Sequence, residues 1–222
     1  MASERARPRA PPFIDPPGYA RHRPEATLLY QLVERHYPEL VAAREGAGRE
    51  EGRRMFETIN GPEADLPRLG PPASSIYSIA AAEPYDVLNR RLREVNVIGR
   101  DFFEISTLVP AREFNQQYEW SAHEVGAQRA GVDQAVIDVI KYDRSVDGLP
   151  EKEATVIEYG RALLRGDRQI SSELFDRMVS LFGRRGMIEI TMVMGDYTMT
   201  AMLLNAVDQH LPPGREPLLP AR

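Results

Sequence analysis

The sequence predicts an all-α fold. Apolar residues return at helical intervals over one segment after another, no stretch alternates with the period of a strand, and no β-hairpin signal separates two such stretches. Composition agrees: 42% of the 222 residues are hydrophobic and 27% charged, close to the average for folded domains. A chain of this length can bury roughly 70% of its unfolded surface around one core, with residues to spare for an extension.

The extension is expected at the beginning. Pro8, Pro11, Pro12, Pro16, Pro17 and Pro24 remove so many amide donors that residues 1–24 read as an extended arm. From Ala26 to Arg44, Leu28, Leu29, Leu32, Val33, Leu40 and Val41 recur at helical spacing, with Pro38 dividing the run. Residues 1–50 are therefore assigned to a Pro-rich arm plus a helical leader, accessory to a main domain over 51–222. That domain opens with a short helix around Glu50 to Ile59 and a Gly/Pro-punctuated loop through Pro72.

Helices then follow one another. The candidates are Pro84 to Val109 with a break at Gly99, Asn115 to Ala130, Asp133 to Tyr142, Pro150 to Leu164, Ser171 to Phe182, and Met187 to His210. Asp133 and Ser171 are suited to cap N-termini, because a short side-chain oxygen can accept from the first free amides. Gly131, Gly166 and Gly183 suit helix exits, where a left-handed residue is needed. Pro212, Pro213, Pro217 and Pro220 mark an extended tail.

The sequence contains no cysteine, which removes disulfide scaffolds, thiolate nucleophiles, zinc fingers and iron–sulfur clusters together. A net charge of −5 argues against a phosphate-backbone footprint, so nucleic acid is not an expected partner. The apolar stretch from Ile190 to Leu204 carries Asp196 and is shorter than the about 20 residues that span a bilayer. With no secretory leader visible, the expected location is the cytoplasm.

The chemistry concentrates in Asn115 to Ala130. On a helix, Gln117, Ser121, Glu124 and Gln128 share a uniformly polar face, flanked by Tyr118, Ala122 and Val125 on one side and Trp120, Ala127 and Ala130 on the other. Opposite that face, where a helix points into the protein, stand Gln116, Glu119 and His123. Two readings are open. Glu119 and His123 form an ordinary i,i+4 surface pair worth about 0.2–0.5 kcal/mol, or they are buried because they are used. A metal held by Glu104, Glu119 and His123 is a chemical alternative, whereas His22, His36 and His210 lack zinc spacing; the reading adopted calls for neither metal nor cofactor.

The stretches DFFEISTLVPAREFNQQYEWSAHEVGAQRAGV and GDYTMTAMLLNAVDQHLPPG, the latter with Tyr197, Leu204 and Asn205, resemble the carboxymuconolactone decarboxylase family, which includes the alkylhydroperoxidase D-like proteins. The resemblance runs from about Arg53 to Pro220 and implies that family's helical bundle. In the peroxidase branch the motif is a Glu, eleven residues, then C-x-x-C-x-x-x-H. Here Glu104 takes the Glu position, Gln116 and Glu119 stand at the two cysteines, and His123 keeps the His. Neither Gln nor Glu can attack a peroxide as a thiolate does, so thiol peroxidase activity is not expected.

The decarboxylase branch also carries a carboxylate four residues before the His. The resemblance implies that Glu119 and His123 are acid/base groups acting on a small organic acid or lactone, with Glu104 orienting His123. Gln116, Trp120 and Arg112 are the candidate substrate contacts, Arg112 as a carboxylate anchor or as a cation serving helix-end carbonyls. A catalytically silent scaffold or small-ligand-binding protein of the same fold is the second reading. Family members associate as trimers or hexamers, and Ile188 to Leu204 is apolar on more than one face, so a homo-oligomer is expected. A separate likeness, of RHRPEATLLYQLVERHYPELVAAREGAGRE to the N-terminal helix of certain mobile-element transposases, stops near Glu50 and includes no nuclease motif.

Overall fold

Six α-helices and no strand make up the regular structure of the residues that the computed structural model describes, which are 79–206, 209, 211 and 215–220. They are α1 (Ile79–Glu94), α2 (Gly99–Glu113), α3 (Gln117–Arg129), α4 (Gln134–Lys141), α5 (Glu151–Leu164) and α6 (Ser172–Ala206). The Pro-rich arm, the leader helix, the boundary near residue 50, the helix around Glu50 to Ile59 and the transposase-like stretch lie outside the described residues.

Helix α2 is the axis of the bundle. It packs on α3, α4, α5 and α6, and every residue from Phe102 to Arg112 is buried. A helix covered on all sides should be apolar all round, and Phe103, Ile105, Leu108, Val109 and Ala111 meet that demand. Its hydroxyl residues are satisfied internally: Ser106 Oγ donates to the Phe102 carbonyl at 2.7 Å and Thr107 Oγ1 to the Phe103 carbonyl at 3.0 Å. Glu104 is the carboxylate left in this buried run, without exposure to solvent.

The boundaries follow local chemistry. Asp133 caps α4 by accepting from the Ala135 amide at 2.8 Å, and Ser171 Oγ accepts from Leu174 N at 3.2 Å at the start of α6. Gly131, Gly166 and Gly183 all take positive φ, with Gly183 at φ 68° and ψ 168° bending α6 between its short first arm and its long second one. The expected break in the first run is real: α1 ends at Glu94 and α2 starts at Gly99, whose φ is 86°. Helix α1 begins at Ile79, earlier than the sequence suggests, and carries Pro84 inside it.

The tail returns to the α2–α3 corner. Leu219 is buried, its amide donates to Gln117 Oε1 at 3.1 Å, and Gln117 Nε2 donates back to the Leu219 carbonyl. No helix among the described residues is long and apolar enough to cross a membrane.

Candidate active site

Helices α2 and α3 approach most closely where Gly126 faces Glu104. A Cβ at Gly126 would stand 2.7 Å from Glu104 Oε1 and 2.9 Å from Oε2. Only a residue without a side chain lets the two backbones come together around that carboxylate. Glu104 cannot swing aside, because Oε2 holds His123 Nδ1 at 2.7 Å while Oε1 pairs with the Arg100 guanidinium at 2.5 Å. We therefore expect Gly126→Ala to cost roughly 1–3 kcal/mol, as overpacking does, and to push Glu104 away from His123. Thermal unfolding at wild-type temperature would show that the close approach is not required.

The imidazole of His123 lies edge-on to the Tyr197 ring, with centroids 4.8 Å apart. Tyr197 in turn accepts a hydrogen bond from Arg93 at 2.8 Å and packs edge-on to Phe103. Burial holds the His123 pKa below its ordinary value, against the Glu104 hydrogen bond, and the nearby Arg93 and Arg100 charges push in the same downward direction. At neutral pH the ring is therefore neutral. With Nδ1–H donating to Glu104, the lone pair belongs to Nε2.

Glu119, one turn earlier on α3, has the opposite character. It is almost completely buried, and neither carboxyl oxygen has a hydrogen-bond partner among the described residues. Burial raises its pKa well above the usual carboxylate range, and the charge of Asp196 on α6 raises it further. Burial thus favours the neutral acid form of Glu119 over the carboxylate. Asp196 is itself pushed up to about 6 by burial, although Asn89 Nδ2 donates to its Oδ2 at 2.7 Å and Arg93 favours its charged form. Tyr85, hydrogen-bonded to Thr200, completes this buried polar layer between α1 and α6.

The remaining sequence candidates have protein partners. Gln116 caps α3 rather than lying within it: its Oε1 accepts from Tyr118 N at 2.8 Å while Nε2 donates to Asn205 Oδ1 at 2.8 Å. Trp120 has no exposed surface, and its indole N–H donates to Glu124 Oε2 at 2.6 Å. Glu124, assigned by helical angle to the outer polar face, is in fact buried and pairs with Lys141 of α4 at 2.9 Å. Arg112 is buried as well, donating to Asn115 Oδ1 at 3.0 Å and to the Pro220 carbonyl at 2.9 Å.

The structure therefore gathers Glu104 and His123 into one hydrogen-bonded unit, with Glu119 a turn away, and sets Gln116, Trp120 and Arg112 in structural contacts. It also brings in Arg93 and Arg100, which the sequence did not single out, and Asp196 and Tyr197, which it noted without giving them a place at the site. Among the described residues, no group of three His, Asp or Glu side chains is disposed to hold a metal ion. Compared with known proteins, the chain matches no family model, no curated protein and no solved structure.

Proposed function

We propose that this chain is a carboxymuconolactone decarboxylase-like enzyme, free of cysteine, that acts on a small organic acid or lactone through acid–base chemistry of Glu119 and His123. The observation that carries the reading is a pair of titratable groups one helical turn apart whose surroundings drive them in opposite directions. His123 is a buried neutral base held by Glu104 at 2.7 Å, and Glu119 is a buried neutral acid. Groups pushed apart in this way supply a proton acceptor and a proton donor at the same pH. A scaffold without chemistry gains nothing from leaving both oxygens of Glu119 without partners among the described residues.

In such a reaction the bond between the ring carbon and the substrate carboxylate breaks, carbon dioxide leaves, and the electron pair is delocalised into the conjugated lactone carbonyl. His123 takes the proton of the substrate carboxyl group at Nε2, leaving the carboxylate that loses carbon dioxide; the carbon then takes a proton from Glu119, and the proton on His123 returns through solvent to the Glu119 carboxylate, which restores both groups. Glu104 is a positioning residue that fixes the His123 tautomer. Arg93 and Arg100, whose charges reach His123, attract the anionic substrate. Arg112 serves the tail carbonyl of Pro220. The proposal includes the homo-oligomer and the cytoplasmic location expected from the sequence.

The test is a screen of carboxylated lactones, β-keto acids and peroxides against the purified full chain. Carbon dioxide released by the wild type and not by His123→Gln supports the reading. Turnover of a peroxide that depends on His123 overturns it, and inertness towards every substrate favours the silent scaffold.

A further inference from the structure

The second arm of α6 carries a solvent-facing apolar seam. Ile188 is 52% exposed, Met192 44%, Met199 40% and Met202 57%, and Gly195 is exposed between them. The positions 188, 192, 195, 199 and 202 follow one another at intervals of four, three, four and three. That is the spacing at which a helix presents one continuous line to another helix. The opposite side of the same arm, with Ile190, Val193, Met194, Tyr197, Ala201 and Leu204, already fills the core. The exposed line is therefore a second apolar face, which the described fold leaves to solvent.

Gly195 adds an independent observation. A Cβ built there would meet nothing within 4 Å among the described residues, so no contact with them requires glycine at this position. A glycine inside a helix nevertheless lowers its stability relative to alanine. Close approach of another backbone at that point gives the residue a purpose.

The seam is also nearly palindromic about Gly195. Turned about a two-fold axis there, Ile188 meets Met202 of a second copy, Met192 meets Met199, and Gly195 faces its own equivalent. The ends match in charge. Arg184 and Arg185 stand exposed at the start of this arm, while the last turn of α6 contains no basic residue to offset its helix dipole. An antiparallel partner places the arginines of each copy beside the carbonyl end of the other, which is favourable. A parallel partner would bring four arginines together at one end. Val97 widens the patch: it is 53% exposed and its amide is held by Glu189 at 2.7 Å, next to Ile188.

We propose that this face is a self-complementary interface, on which α6 of a second copy of the chain docks antiparallel, with Gly195 at the two-fold axis. The proposal specifies the contact of the homo-oligomer included in the proposed function, but does not rest on its chemistry, since none of its residues belongs to the Glu104–Glu119–His123 group. It requires an even-numbered assembly. A hexamer built from three such pairs contains the contact, whereas a lone trimer does not.

The absence of native cysteine permits a direct test on the full chain. In the double variant Ile188→Cys/Met202→Cys the two thiols lie on one helix about 21 Å apart, far beyond disulfide reach. Mild oxidation should therefore link them only between chains, giving a covalent dimer of the 25.0 kDa chain on a denaturing gel and peptides that join position 188 to position 202. Links of 188 to 188, or of 202 to 202, overturn the antiparallel arrangement. A band that stays monomeric overturns the interface itself, as would result if residues from the first third of the chain covered the seam. In parallel, Met192→Glu/Met199→Glu should weaken self-association roughly 100-fold or more in sedimentation, with helical content unchanged. Association at wild-type strength in that variant also overturns the proposal.

Discussion

His123→Gln lowers kcat/KM by about 10²–10⁴-fold while leaving helical content at the wild-type level. Glutamine retains an N–H that can reach Glu104, so the α2–α3 contact is kept, but it has no basic nitrogen to replace Nε2. The loss is thus one of proton transfer rather than of packing. The pH profile carries a second signature. Neutral imidazole is the active form, and burial holds its pKa below 6.5, so wild-type activity falls as pH drops through that lowered value. The same shift links to stability: below 6.5 the unfolded chain binds a proton that the folded chain resists, and His123 makes the wild type progressively less stable. In His123→Gln both dependences disappear together. A variant that turns over substrate at the wild-type rate would refute the assignment of His123.

What could be read in the sequence was local. Asp133 and Ser171 as caps, and Gly131, Gly166 and Gly183 at positive φ, follow from chemistry within a few residues and stand where expected. Helical angle likewise gave the inward direction of Glu119 and His123, but direction does not name a partner. The spacing paired His123 with Glu119 at four residues, whereas its hydrogen bond goes to Glu104, 19 residues away on α2, a partner that the family resemblance implied and the helical angle did not. That choice depends on how closely α3 crosses α2 at Gly126. The same limit explains Glu124. Sorting a helix into an inner and an outer face assumes one buried side, yet α3 meets α2 and α4, so a residue opposite the site is buried too. The polar layer of Asn89, Arg93, Asp196 and Tyr197 joins residues more than a hundred positions apart. Its one local sign was a lone acid, Asp196, in the apolar run from Ile190 to Leu204.

Glu119→Gln separates chemistry from stability, because the two move in opposite directions. As the proton donor, Glu119 should account for about 10²–10⁴-fold of kcat, and its amide, similar in shape but unable to release a proton, should lose that factor. Stability responds otherwise. The folded chain holds Glu119 protonated far above 4.5, whereas the unfolded chain ionises it near that value. Between the two pKa values the unfolded state has given up a proton that the folded state keeps bound, so native stability falls as pH rises from 4.5 towards the raised folded value. Glutamine removes this dependence. The variant should therefore gain thermal stability over the wild type at pH 7 to 8, with the gain shrinking to nothing as pH falls towards 4. Denaturation curves across that range, read beside kcat, decide the matter. An inactive enzyme that is more stable at high pH fits a buried acid kept for catalysis. Full activity with the same stability gain would leave Glu119 as a buried acid without a catalytic role, and would withdraw the proton donor from the proposed mechanism.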